Sequence, residues 1–217
     1  IELASPISDS IRMGENYSHQ MQRKKETIQA TLASFLSSPI VFIPALELQH
    51  YRNRVEWVCS PAHALGFRKK ANLKDIFAPT HCSLVSVENN GIFGLISQLV
   101  SKFKLPSYDV MEHKGFLRYV VYRESKSSGS QVVGLVTFTE EFSTEMTAIA
   151  TELLATSRAT GIVWLHNPSW SDTSHGKIIQ TWGNVDLSET LNGWKYHVPF
   201  TSFFQTNPRM AEKLQAH

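Results

Sequence analysis

Two β-rich runs, Leu117 to Arg123 and Gln131 to Thr139, flank the turn-forming segment Ser125 to Ser130, and this pairing constrains the fold more than any other feature of the chain. It reads as a β-hairpin. Around it the period of the apolar residues changes repeatedly. Tyr17, Met21, Ile28, Leu32 and Phe35 fall on one stripe of a helix from Asn16 to Leu36, which Pro39 stops. From Tyr51 the period is two, with Tyr51, Val55 and Trp57 on one strand face and Arg52, Arg54 and Glu56 on the other. A strand at Leu65 to Lys69, a helix from Ser86 to Phe103 and a helix through Met146, Ile149, Ala150, Leu153 and Leu154 follow the same reasoning. Gly161 to Leu165, Lys177 to Trp182, Asp186 to Leu191 and Lys195 to Val198 read as short strands. Asn207 and Pro208 then start a last helix as N-cap and first helical residue. Strands and helices are mixed without strict βαβ alternation, which predicts an α+β fold with a mixed, mainly antiparallel sheet and packed helices.

Charge narrows the partners. Residues 50 to 126 hold 12 Lys+Arg and 6 Asp+Glu, net +6, whereas the remainder holds 9 and 13, net −4; together they make the overall +2. A basic stretch of this size fits a polyanion, and a solvated helix face is its bland alternative. Two cysteines, Cys59 and Cys82, are too few for a disulfide framework or a four-cysteine metal site, and no apolar run reaches the length of a membrane span. These features predict a cytoplasmic monomer that does not enter a membrane. The start at Ile1 and the short helix ending at His217 predict a trimmed piece.

The chain has no G-x-S-x-G elbow, Walker loop, G-x-G-x-x-G or H-E-x-x-H. Its nine histidines are scattered, and His81 beside Cys82 is half of a metal site at most. Tyr51-Arg52-Asn53-Arg54 is more informative: two guanidiniums two residues apart on a strand share a side and can each grip a phosphate. Pairing with Glu56 is the alternative. His113 to Arg118 would present cations around the turn entering the hairpin. In Ser202-Phe203-Phe204-Gln205-Thr206-Asn207-Pro208 an aromatic pair and an amide precede a helix cap, so a ring can stack on a base and the amide can read a polar ligand. Otherwise both rings plug the core.

Taken in order, Tyr17 to Lys24, Tyr51 to Arg54, Gly66-Phe67-Arg68, Asp75 to Cys82, His113 to Arg118 with Val120 to Arg123, and Ser202 to Asn207 resemble the RNA uridine carbon-5 methyltransferases. Members of that family make 5-methyluridine in tRNA or rRNA with S-adenosylmethionine. The resemblance implies a central RNA-positioning domain over residues 1–198 and, over 199–217, the lead-in to a Rossmann-like catalytic domain missing from this chain. Gln205 would touch S-adenosylmethionine and Phe203 the target base, while Arg52, Arg54, His113, Arg118 and Arg123 would contact RNA. The nucleophilic cysteine and basic glutamate would lie beyond His217, leaving no catalytic residue here and an inactive fragment. Cys82 matches the fourth ligand of the iron–sulfur cluster many members carry; with no cysteine between Ser5 and Asn16 it is an orphan, and no cluster or metal is expected. The rival expectation is a stand-alone RNA- or protein-binding module derived from that family, and a metal-dependent enzyme using His81 and Cys82 is a third.

Overall fold

The structure, a computed structural model, describes residues 16–35, 37–38, 40–63, 65–69 and 72–216. They divide into two compact units, the first ending at Leu48 and the second starting at Gln49. In the first, α1 (Tyr17–Leu32) starts where Asn16 Oδ1 accepts the His19 N–H at 2.9 Å. Its buried residue is Gln20, whereas Ile28 and Leu32 of the expected apolar stripe stay exposed. The Tyr17 hydroxyl instead accepts the Ala45 N–H at 2.5 Å. The expected stop at Pro39 lies outside the described residues.

In the second unit the elements run β1 (Arg54–Cys59), β2 (Leu65–Lys69), β3 (Asn72–Phe77), α2 (Val87–Lys102), β4 (Leu117–Glu124), β5 (Gln131–Thr137), α3 (Ser143–Thr156), β6 (Gly161–His166), β7 (Lys177–Gly183), β8 (Ser188–Leu191), β9 (Trp194–His197) and α4 (Pro208–Gln215). Seven strands form one sheet in the order β3-β2-β1-β4-β5-β6-β7, and β8 and β9 form a separate hairpin. The β4–β5 pairing is the hairpin read from the sequence. β5 and β6 pair in parallel, which requires the crossover that α3 supplies. β4, β5 and most of β6 are buried on both faces, as strands in the interior of a covered sheet are.

Trp57 packs edge-on against Phe93 of α2, with ring centroids 5.0 Å apart, and Met146, Ile149 and Leu153 of α3 are buried. A further apolar cluster joins Tyr119, Val121 and Val163 of the sheet to Leu187, Val198 and Phe200, so the strand-poor tail is part of the core. Gly134 is where this packing is tightest, because a Cβ there would overlap the Phe200 ring. Burying a side chain the size of Phe200 contributes about 1.5 to 3 kcal/mol, enough to anchor the segment that follows it.

Two backbone devices shape the start of β4. Gly115 has φ +106°, and a Cβ there would overlap the Ser107 carbonyl, so the turn needs glycine. Leu117 is paired with Thr137 and Tyr119 with Val136, which leaves Arg118 as the extra residue of a β-bulge. A bulge re-aims the side chain it carries.

Candidate functional site

The segment 199–206 is fixed by two residues from distant strands. Arg123 Nη1 donates to the carbonyl oxygens of Pro199, Phe200 and Ser202 at 3.0, 2.5 and 2.9 Å. Asn53 closes the other end, its amide Nδ2 donating to Gln205 O at 3.1 Å and its backbone N–H to Thr206 O at 2.9 Å. Asn53 O in turn accepts the Glu124 N–H, which ties the tether to the sheet. The aromatic pair is thereby split: Phe204 turns in against the apolar cluster and Tyr196, while Phe203 is 83% exposed. Gln205 is exposed beside it. Asn207 Oδ1 caps α4 by accepting the Met210 N–H at 3.1 Å. The core-plug reading holds for Phe204, whereas Phe203 stands in solvent.

The arginines do not share one role. β1 begins only at Arg54, so the period-two argument that set Arg52 and Arg54 on one side does not extend to Arg52. Arg52 lies in the preceding segment, held by its N–H to Leu84 O at 2.8 Å, and its buried Nε has no hydrogen-bond partner. Arg54 is bonded to Glu56 at 2.8 Å and approaches Ser174 Oγ at 3.4 Å. It stands opposite Arg123 in the ladder. Burial first, then the Arg54 guanidinium, lowers the Arg123 pKa to about 10 against the counter-pull of Glu56, so Arg123 is still a cation at neutral pH.

Arg123 is 3% exposed and Arg118 is 1% exposed, so neither presents its guanidinium to a phosphate here. The resemblance implied both as direct RNA contacts; in the folded chain the sheet is covered on both sides at these positions, and Arg118, the extra residue of the bulge, is spent on loop carbonyls. Arg118 donates to the carbonyls of Asn167, Ser169 and Ser171 at 2.8, 2.5 and 2.5 Å and lies 4.3 Å over the Tyr108 ring. His113 sits at a turn with φ 53°, hydrogen-bonded through Nδ1 to the Tyr108 hydroxyl at 3.0 Å.

Both cysteines are buried. Burial pushes the Cys59 thiol up to about 12, and it raises Cys82 against the lowering effect of the Leu84 and Val85 backbone and of Arg52. Among the described residues no group of three or more His, Cys, Asp and Glu side chains could hold a metal ion. No helix of the described residues is long and apolar enough to cross a membrane. The sequence pattern did not reveal Asn53 as a tether or Trp170 as an exposed ring. Asn53 lies between two arginines whose charge is the stronger signal, and Trp170 follows Pro168 and Ser169 with no periodic pattern around it.

No family model matches the chain. Most of its length is nevertheless similar to RNA methyltransferases. It is 30% identical over 199 residues to a tRNA (uracil(54)-C(5))-methyltransferase of Pyrococcus furiosus, a match that covers 92% of this chain and 46% of that protein. An uncharacterized RNA methyltransferase of Clostridium acetobutylicum is 31% identical over 176 residues, 77% of this chain and 39% of its own. The crystal structure of Pyrococcus abyssi tRNA (uracil-54, C5)-methyltransferase in complex with S-adenosyl-L-homocysteine superposes with a TM-score of 0.78 at 25% identity, over 92% of this chain and 46% of that one. The chain spans about half the length of the curated relatives it matches.

That superposition corrects the fold class read from the sequence, an α+β RNA-binding domain with the methyltransferase domain missing. Nearly the whole chain superposes on 46% of the structure of a methyltransferase, against the expectation of a module from which the methyltransferase domain is missing. Within the sheet, the β5–α3–β6 crossover is the feature the sequence left unread. Its strands and helix were legible singly, but nothing in their apolar runs distinguishes a parallel partner from an antiparallel one.

Proposed function

We propose that the chain is part of an S-adenosylmethionine-dependent RNA (uracil-5-)-methyltransferase, and that its share of the work is to hold RNA and to aim Phe203 and Gln205. The observation that carries this is the 199–206 segment: an exposed ring and an exposed amide on a backbone fixed by Arg123 and Asn53. Similarity to RNA methyltransferases over 92% of the chain, one of them solved with S-adenosyl-L-homocysteine, supports it. Gln205 offers both a donor and an acceptor, which suits a polar cofactor edge. Bound there, S-adenosylmethionine would supply an electrophilic methyl group. Phe203 would face the target base, since a rigidly held ring can stack on an extruded pyrimidine.

Arg52 and Arg54 are the proposed phosphate-binding residues, with Arg118 and Arg123 acting on loop carbonyls from beneath. Exchanging Arg52 and Arg54 for alanine together should weaken RNA binding and flatten the slope of log affinity against log salt by about 0.7 to 0.9 for each phosphate no longer neutralised. A titration of RNA at several salt concentrations reads this directly. Unchanged affinity and slope would return both residues to intramolecular pairing.

The chain by itself is proposed not to transfer methyl groups. The reaction of the resembling family needs a thiolate, and the two cysteines present are buried with raised pKa values, the opposite of an activated nucleophile. Incubated with RNA and methyl-labelled S-adenosylmethionine, the 217-residue chain should leave the RNA unlabelled. Incorporation that depends on the chain would show that a nucleophile other than a buried thiol operates.

A further inference from the structure

Trp170 is 72% exposed, a large aromatic surface to leave in water. Its indole lies parallel to the His113 imidazole, with centroids 4.8 Å apart and an interplanar angle of 7°. One face of the indole is therefore covered and the other is open. Neither partner is loosely held. The loop bearing Trp170 hangs on three carbonyl bonds to the buried Arg118, and Asn167 Oδ1 accepts from both the Ser169 N–H and hydroxyl. Farther along, Asp172 accepts the Tyr119 hydroxyl at 2.6 Å and pairs with Arg68 at 3.1 Å. His113 is fixed by Tyr108, whose ring also carries the Arg118 guanidinium.

Resting on the reading that the partner is RNA, we propose that the open face of Trp170, backed by His113, is a stacking platform for an unpaired RNA base. A flat ring on a pre-fixed loop loses little freedom when a second flat ring settles on it, and base–aromatic stacking tolerates any base. Exposed Lys114 follows His113 in the same turn, a cation placed for the phosphate of a stacked nucleotide. The chain neighbours Ser169, Ser171 and Thr173 are polar, as suits a nucleic-acid partner.

The test is fluorescence anisotropy of the 217-residue chain with three labelled probes: an unpaired RNA oligonucleotide, the same oligonucleotide with abasic sites, and a blunt RNA duplex. Trp170→Ala should weaken binding of the unpaired RNA about 5- to 150-fold, and leave the abasic and duplex probes within about twofold of the parent. Trp170→Phe, which keeps a stacking face, should recover most of the loss. Thermal melts of both variants should match the parent, because the ring is largely outside the core. If Trp170→Ala binds the unpaired RNA as tightly as the parent, or loses all three probes equally, the platform is overturned while RNA binding stands. If the parent binds none of the probes, the RNA reading fails and the platform falls with it.

Discussion

Replacing Arg118 with methionine is expected to lower the unfolding free energy by about 3 kcal/mol, far more than the loss of a surface arginine. The methionine keeps much of the side-chain volume but removes every donor, so the carbonyls of Asn167, Ser169 and Ser171 lose their shared partner and the Tyr108 ring loses its cation. Urea unfolding should show a lower midpoint at unchanged slope, the mark of lost stability and not of a changed denatured state. Arg118→Lys should recover only a minor part, because an ammonium cannot span three carbonyls as a guanidinium fork does. A stability within about 0.5 kcal/mol of the parent in Arg118→Met would mean the loop is held by Asp172 and its partners alone.

Alkali should be the second strong perturbation. The Cys59 thiol is raised by burial from 9.0 to about 12, so the folded chain keeps a proton that the unfolded chain gives up. Its contribution to stability is fully present below about pH 9 and is lost as pH climbs from 9 toward 12. From this thiol alone, stability at about pH 11 should be roughly 3 kcal/mol below that at about pH 8. Burial also raises Tyr119, assisted by its hydrogen bond to Asp172, and Tyr122, assisted by the Glu124 charge, so both add to the loss in the same direction. Urea titrations at the two pH values measure the difference, and Cys59→Ala should shrink it. A midpoint that stays constant over this range would show that the thiol ionises freely in the folded state.

Much of the second unit was legible because its signals are local. The Ser125–Ser130 turn between β-rich runs marks β4 and β5, and Asn207 with Pro208 marks the start of α4. β3 was missed because Asn72 to Phe77 carries polar residues without a clean alternation. The parallel β5–β6 pair was missed because strand direction is a property of the crossover and not of either strand. In the candidate site, the sequence marked Phe203, Gln205 and the arginines as chemically capable residues, yet it could not say which of them face water. That depends on the bulge at Arg118 and on Phe200 filling the space over Gly134, two long-range events with no local signature.

The tether of segment 199–206 has a kinetic corollary. Asn53 and Gln205 are separated by 152 residues and Arg123 and Phe200 by 77, whereas the β4–β5 hairpin closes over the short turn between Glu124 and Gln131. Interactions that enclose so much chain are entropically late to form, so at the folding barrier they should be largely absent. Changes at Asn53 or Arg123 would then leave the refolding rate almost untouched and show up as faster unfolding. The bonds that hold segment 199–206 thus act on how long the folded chain lasts, and not on how fast it is reached.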